Sequence, residues 1–295
     1  MRTVCLKQLL LVLALSAGLC DLARAQAIGV SESTVLDFGT VVDSSGMVRL
    51  GLSDSITSDS SGIHVGGSVL SGVYVITGGA NCTVKVTITG SNVSGLQIDN
   101  FKADGNLNSF GLGAGGSATL VVGADLTVDD SAASPGQDQA LALTIAVSYK
   151  SGCSGTPANS NFNGRVDVYS VISLCEDTEL DFGLVALENG TITLGLSDSI
   201  TSDVNGISYG GTIASGIYTV TGEANATVSM SLTGSTSSGL TIGTFTSSEA
   251  DLGTVSLGAG GSKGVTLGAD LTVASATAAP GADQTLNFIV TVNYN

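Results

Sequence analysis

The carboxylates best suited to chemistry lie in a ten-residue block that occurs twice without change. The block runs from Leu50 to Asp59 and recurs from Leu194 to Asp203. Its aspartates are Asp54, Asp59, Asp198 and Asp203. Paired carboxylates can serve as acid and base in hydrolysis, and loop carboxylates bind calcium. The sequence lacks an Asp-x-Asp-x-Asp-Gly run, and short Asp and Ser side chains commonly bond their own backbone in turns. We therefore interpret the block as turn-forming, with calcium binding as the open alternative.

Other residue types that enzymes rely on are scarce. The chain has one histidine, His64, and the second copy of the surrounding sequence has Ser208 in its place. A residue that one copy lacks is a poor candidate for shared chemistry, so we interpret His64 as a surface or turn residue. The glycine run from Gly113 to Gly116 lacks the lysine and the following helix that a phosphate-binding loop requires. The sequence predicts a non-enzymatic protein without a cofactor.

Three of the five cysteines follow residue 25, namely Cys82, Cys153 and Cys175. Their spacings of 71 and 22 positions do not fit zinc or redox motifs. Because Cys153 and Cys175 bracket a single segment rich in Gly, Ser and Asn, we predict that these two form a disulfide. Cys82 has Ala226 as its counterpart, and we interpret it as a buried free thiol, with an intermolecular disulfide as the alternative.

The first 25 residues have the features of an export signal. Arg2 and Lys7 precede an apolar run from Leu9 to Leu19, and Ala23-Arg24-Ala25 has small residues where signal peptidase needs them. The apolar run is shorter than the roughly 20 residues that span a bilayer. We predict cleavage after residue 25, an exported protein in the periplasm, on the outer surface or outside the cell, and no membrane insertion of the mature chain.

The charge of the chain excludes polyanionic partners. The sequence has 9 basic and 25 acidic residues, a net charge of -16. Removal of residues 1–25 takes away three basic residues and one acidic residue, which leaves 6 and 24 and a net charge of -18. Nucleic acids and anionic lipids are bound through Lys and Arg, so neither is an expected partner. The chain has no Trp, and its low aromatic content also disfavours stacking on bases.

An internal repeat defines the domain organisation. Leu36-Asp37-Phe38-Gly39 recurs 144 positions later, and Gly123 to Val128 recurs 145 positions later as Gly268 to Val273. Matches of this length at a nearly constant offset indicate a duplicated domain. We predict a signal peptide over residues 1–25, a first repeat over 26–150, a linker over 151–164 and a second repeat over 165–295.

The fold class follows from an apolar period of two. Thr83 to Thr89, Leu141 to Tyr149 and Leu286 to Tyr294 alternate apolar and polar residues, which is typical of half-buried strands. Gly, Ser and Asn separate these and further short segments, giving seven or eight strands in each copy. The sequence predicts an all-β protein made of two tandem antiparallel β-sandwich domains of the immunoglobulin-like kind.

Several motifs together resemble a bacterial family of exported domains of unknown function, numbered 4402. They are Leu36 to Gly39, Tyr74 to Gly78, Val122 to Leu126, Pro135-Gly136 and Val147 to Tyr149, with counterparts in the second copy. The resemblance implies an immunoglobulin-like sandwich on an exported protein. It carries no assigned activity and no catalytic residues.

The final predicted strand is also similar to the last strand of chaperone-usher pilus subunits. Such strands alternate apolar residues, have a Gly about fourteen residues from the end and a penultimate Tyr. Gly281 and Tyr294 match those positions. Tyr149 ends the first copy in the same way. The pattern is therefore also explained as the last core strand of any such sandwich.

These observations lead to a functional expectation. We expect a non-enzymatic, secreted or cell-surface structural or adhesive protein, with a fimbria-like appendage subunit as the narrower form. The expected partners are other envelope or appendage proteins, with self-association by strand addition as a further possibility. The alternative is an extracellular module that binds a carbohydrate or calcium.

Overall fold

A computed structural model describes residues 26–150, 152–281 and 284–295. All regular structure in these residues is β-strand, which confirms the predicted all-β fold class. The chain divides into two compact domains between Asp167 and Val168. None of the described segments forms a helix long and apolar enough to cross a membrane.

The first domain is a sandwich of two antiparallel sheets. Its strands are β1 (Gly29–Thr34), β2 (Asp37–Val42), β3 (Gly46–Leu50), β4 (Ile56–Asp59), β5 (His64–Leu70), β6 (Gly72–Thr77), β7 (Thr83–Gly90), β8 (Asn92–Val93), β9 (Leu96–Ala103), β10 (Phe110–Gly111), β11 (Ser117–Val128), β12 (Gly136–Tyr149) and β13 (Ala158–Tyr169). One sheet has the order β1-β6-β11-β3-β4, with β9 also paired to β11 and β8 paired to β9. The other has the order β10-β7-β12-β13-β2-β5.

The core of the first domain lies between these sheets because each strand turns every second side chain inward. In β12 the alternate residues Leu141, Leu143, Ile145 and Val147 are all buried. On the facing sheet, Leu120 of β11 is likewise buried. The two-residue period read from the sequence therefore marks the inner faces of the sandwich.

The second domain repeats the first sheet but divides the second one. Its strands are β14 (Ser173–Thr178), β15 (Leu184–Val185), β16 (Gly190–Leu194), β17 (Ile200–Val204), β18 (Tyr209–Gly210), β19 (Gly216–Thr221), β20 (Thr227–Thr233), β21 (Ser235–Ser237), β22 (Leu240–Ser247), β23 (Val255–Ser256), β24 (Ser262–Val273) and β25 (Ile289–Tyr294). A seven-stranded sheet has the order β14-β19-β24-β16-β17, with β22 and β21 attached to β24. The remaining strands form two small sheets, β23-β20-β25 and β15-β18.

The region between the repeats differs from its predicted form. Residues 151–164 were predicted to be a linker, yet β13 begins at Ala158 and lies inside the second sheet of the first domain. The domain division after Asp167 falls three residues beyond the predicted start of the second repeat. The cause is tertiary, because this segment is held by the strands on either side of it.

The predicted disulfide is wrong. Cys82 and Cys153 are joined, with their Cα atoms 5.9 Å apart, and Cys175 is an exposed free thiol on β14. The interpretation of Cys82 as a free thiol is therefore also wrong. The reason is strand order: β7 and β12 are neighbours, and the Lys150 amide donates to the Thr83 carbonyl at 2.9 Å. That pairing brings the residues just outside the two strands together.

Candidate strand-binding groove

Strand β13 supplies the middle of one sheet in the first domain, between β12 and β2. The Thr144 hydroxyl donates to the Asn161 side-chain oxygen at 2.8 Å, and the Asp138 amide donates to a carboxylate oxygen of Asp167 at 2.7 Å. The residue number falls from 144 to 138 along β12 while it rises from 161 to 167 along β13. The two strands are therefore antiparallel. On the other side, the Arg165 amide donates to the Leu36 carbonyl at 2.8 Å.

The inner face of β13 fills the core of the first domain. The ring of Phe162 packs against the ring of Tyr74 with centroids 5.0 Å apart. Val166 is 1% exposed. Gly164 allows close packing, because a Cβ atom there would lie 2.9 Å from the Leu36 carbonyl oxygen. The inward-facing residues of β13 are therefore, in order, the large Phe162, the small Gly164 and the intermediate-sized Val166.

An ion pair fixes the outer side of the same strand. Arg165 Nε lies 2.8 Å from Asp37 Oδ2, and the Asp37 carboxylate is almost fully buried. The other oxygen of Asp37 accepts the Gly39 amide at 2.9 Å. Both carboxylate oxygens are therefore used, one by the turn of the Leu-Asp-Phe-Gly motif and one by β13.

The second domain has no counterpart of β13 among its described residues. The neighbours of that position are present, since β25 corresponds to β12 and β15 corresponds to β2, but they belong to separate sheets. Leu180 and Val185 on one side, and Leu286 and Phe288 on the other, pack against the same core cluster. We refer to the position between these residues, which β13 occupies in the first domain, as the groove.

The side chains of the groove are more exposed than their equivalents. Leu180, Val185, Leu286 and Phe288 are only partly buried. Their counterparts in the first domain are Leu36, Val41, Leu141 and Leu143. Each of those counterparts is at most 2% exposed. The difference follows from β13, which covers the four positions in the first domain.

The strands that border the groove are shorter than their equivalents. Strand β12 has 14 residues, whereas β25 has 6 and begins at Ile289. Residues 284–288 correspond to the part of β12 that β13 pairs with, and they have no strand structure. The prediction of a strand from Leu286 was therefore too long by three residues. Backbone groups along such an edge are available to a further strand.

Exposed apolar side chains are concentrated in the second domain. Nine of the eleven large apolar residues that are exposed among the described residues lie after Asp167. Leu184 on β15 is 73% exposed, although its counterpart Thr40 is 7% exposed. Ile289 on β25 is 64% exposed. Leu184 and Ile289 therefore lie exposed on the two strands that border the groove.

The turn that starts each repeat has the same geometry in both domains. Asp181 Oδ1 accepts the Gly183 amide at 2.8 Å, as Asp37 does with Gly39. Both glycines have a φ of 70°, a conformation that L-residues with side chains rarely adopt. A family model described as a domain of unknown function, DUF4402, matches residues 28–149 and 172–294. The chain belongs to the DUF4402 family.

Three solved structures have some likeness to this pair of DUF4402 domains. The secreted serine protease VesC from Vibrio cholerae is 9% identical with a TM-score of 0.24; the match covers 90% of this chain and 51% of that one. A protein of unknown function from Porphyromonas gingivalis W83 is 16% identical with a TM-score of 0.23, covering 83% of each chain. A chaperone-tip adhesin complex of CFA/I fimbriae biogenesis is 13% identical with a TM-score of 0.24, covering 92% of each. No curated protein sequence matches the chain.

The repeated aspartates hold loops in both DUF4402 domains. Asp54 Oδ1 accepts the amide and the hydroxyl of Ser71 at 2.7 and 2.8 Å, and Asp198 accepts the same groups of Ser215 at 2.8 and 2.6 Å. These hydrogen bonds lower the pKa of both carboxyl groups. Asp54 and Asp198 also share a positive φ of 52°. The unchanged block therefore preserves a structural turn in each domain.

The second aspartate of each block bonds to backbone amides. Asp59 accepts the amides of Ile63 and His64, both at 3.0 Å, and Asp203 accepts the Ile207 amide at 2.8 Å. Within the described segments, no three His, Cys, Asp or Glu residues are grouped in a way that could hold a metal ion. The four aspartates are thus engaged in the loops next to β4 and β17.

His64 is a strand residue and not a turn residue. It begins β5 and is partly buried, and its Nε2 atom is enclosed without a hydrogen-bond partner among the described residues. Burial lowers the pKa of His64, and the nearby Asp59 carboxylate offsets part of that change. The neutral imidazole is therefore favoured in the folded first domain.

Replacing His64 by Ser, the residue of the second domain, is expected to reduce the acid sensitivity of the first domain. Because the pKa is lower in the folded state, the histidine's contribution to stability is present above the unfolded pKa near 6.5 and is lost as the pH falls below it. Amide exchange of β5 at pH 7 and pH 5 measures this effect. The second domain, which has Ser208, is the internal control, and an unchanged pH dependence in the variant would contradict the prediction.

The residues of β13 that reveal the groove have a sequence that resembles a linker. Residues 158–164 looked like linker because Ala158, Ser160 and Gly164 are small, although they occupy alternate inward positions. The available signal was the combination of Phe162 and Val166 at even spacing with those residues. The groove itself is visible only by comparing two domains of the same family in one chain.

Proposed function

We propose that the chain is a non-enzymatic structural or adhesive protein of the bacterial envelope or exterior, and that another protein is joined to it by a β-strand inserted into the groove. The observation that supports this function is that none of the described residues fills this strand position in the second domain. The same position is filled by β13 in the first domain. Open strand edges with apolar flanks accept strands from other chains.

Another copy of this chain is a poor donor of this strand, so we propose a different protein in that role. The described residues contain two sandwich domains but only one strand of the β13 type. If one molecule gave its β13 to the groove of a second molecule, its own first domain would lose that strand. Exchange of β13 between copies therefore leaves the number of open strand positions unchanged. A strand from an envelope or appendage partner fills the groove without opening another position.

Insertion of a strand has a clear physical driving force. It would bury the four partly exposed groove residues and pair the backbone of residues 284–288. Full burial of a large aliphatic side chain contributes about 1.5–3 kcal/mol, of which part remains to be gained here. Removal of residues 1–25 leaves a net charge of -18, which keeps the unassembled chain in solution until such a partner is met.

A chain that carries its own donor strand provides the test. A copy of residues 151–169, appended after Asn295, repeats the connection between β12 and β13 and places a strand beside the groove. In the source bacterium, unheated envelope extracts and immunogold microscopy should find the natural chain in assemblies larger than a monomer. The extended chain should be exported equally well but remain monomeric, because its groove is already filled.

The control is the same extension with proline at the positions that repeat Phe162 and Val166. Proline removes backbone donors, so this extension cannot pair and assembly should be as in the natural chain. A natural chain that is monomeric in the envelope would refute the proposal. The proposal would also be refuted if the extended chain entered the same assemblies even though the added strand fills the groove of its second domain.

A further inference from the structure

We infer that the strand which enters the groove carries, in order, an aliphatic residue, any residue, a glycine and a basic residue. The aliphatic residue lies opposite Phe288, the glycine opposite Leu286, and the basic residue next to Asp181. This inference rests on the proposed function and specifies the partner's chemistry. It comes from reading β13 in its own position and then allowing for the residues that differ in the second domain.

The register of β13 fixes which residues face each other. The contacts of Asn161 with Thr144 and of Asp167 with Asp138 set one antiparallel alignment. That alignment places Phe162 opposite Leu143. Gly164 lies opposite Leu141 in the same register, and a Cβ atom on it would be 3.6 Å from the Cβ of Leu141. The counterparts of these two leucines are Phe288 and Leu286.

At the first position, the large aromatic side chain lies on β13 in the first domain but on the partner segment, as Phe288, in the second domain. In the first domain a leucine on β12 faces a phenylalanine on β13, and that ring packs against Tyr74. In the second domain Phe288 itself packs against Tyr218, with ring centroids 6.1 Å apart, and against Phe245 at 5.1 Å. Two facing aromatic residues would overfill this site. An aliphatic residue on the incoming strand conserves the volume of the pair.

The second position leaves no space for a side chain. A Cβ atom on Gly164 would lie 2.9 Å from the carbonyl oxygen and 3.4 Å from the Cβ of Leu36. Leu180 and Leu286 are the same residue types as Leu36 and Leu141 at this point of the second domain. The incoming strand therefore meets the same two leucines, and only glycine approaches them as β13 does.

The third position is set by charge. Asp181 is exposed, and its Oδ1 atom is used by the Gly183 amide. No ion pair to Asp181 occurs among the described residues, whereas Asp37 binds Arg165. A basic residue that directly follows the glycine reaches the free oxygen as Arg165 does in the first domain.

Variants of the extended chain test this pattern. Four forms of the appended copy are compared. The first is unchanged, and the second carries Phe162→Leu. The third and fourth carry Phe162→Leu together with Gly164→Val or with Arg165→Gln. Amide exchange of residues 284–294 reports how well each copy closes the groove. The Phe162→Leu copy should slow exchange about tenfold more than the unchanged copy, and Gly164→Val should cancel that gain. Loss of the arginine should cost about threefold.

A matched substitution isolates the ion pair. Asp181→Asn should reduce the protection of residues 284–294 from amide exchange when the appended copy retains the arginine. It should leave that protection unchanged with the Arg165→Gln copy, because the ion pair is then already lost. Equal protection by the leucine and phenylalanine copies, or by the glycine and valine copies, would overturn the inferred pattern and leave the proposed function standing. If no copy protects residues 284–294, both the pattern and the proposed function fail.

Discussion

Leu141→Ala is expected to lower the free energy of unfolding of the first domain by about 2–5 kcal/mol, because the side chain is fully enclosed and its removal leaves a cavity. Leu141 is 1% exposed, and β13 covers it on the side away from β7. The matched change Leu286→Ala removes the same atoms from the groove of the second domain. Its cost should be less than about half as large, since that side chain is already partly in water.

The two effects have to be measured separately for each domain. A chain with two domains need not unfold in one step, so a single melting curve is not sufficient. Amide exchange resolved by peptide, under increasing urea, gives the stability of β12 and of β25 in the same sample. Equal losses for the two variants would mean that Leu286 is covered as well as Leu141, and would argue against an open groove.

The same pair of substitutions reports on the state of the groove after assembly. In the extended chain with the Phe162→Leu copy, the cost of Leu286→Ala should rise towards that of Leu141→Ala. The reason is that the inserted strand removes water from the side chain, and the alanine then leaves a true cavity. Leu141→Ala should cost the same in the natural and the extended chain, which makes it the reference.

The sequence was sufficient for the fold class and the duplication, because both follow from patterns that are local or repeated. Alternation in Leu141 to Tyr149 predicts a strand wherever its partners lie, and the unchanged Leu50 to Asp59 block marks the repeat. The role of the block was harder to read. Only the structure shows that Asp54 holds Ser71 across 17 positions of sequence.

The sequence was not sufficient for the strand order, and two errors follow from that. The segment from Ala158 to Gly164 has little apolar character of its own, and it becomes a strand because β12 and β2 hold it on both sides. The disulfide prediction relied on the distance along the chain between Cys153 and Cys175. Folding instead selects partners by distance in space, and the pairing of β7 with β12 brings Cys82 close.

Removal of the disulfide between Cys82 and Cys153 is expected to destabilise the first domain by about 4 kcal/mol in the chain-entropy model. The bond closes a loop of 71 positions, which restricts the unfolded chain considerably. The double variant Cys82→Ala, Cys153→Ala is the suitable form, because it leaves no unpaired thiol in the first domain. Alanine also occupies the position of Cys82 in the second domain, as Ala226, so the fold accepts it there.

Peptide-resolved exchange under urea measures this loss in β7 and β12, and mass spectrometry of unreduced peptides verifies the linkage. Cys175→Ala is the control, since that thiol is exposed and forms no disulfide, and it should leave both domains unchanged. The second domain should also be unaffected by the double variant. A stable first domain in the double variant would show that strand pairing alone holds the ends of β7 and β12 together. Destabilisation of the first domain by Cys175→Ala would contradict the pairing of Cys82 with Cys153.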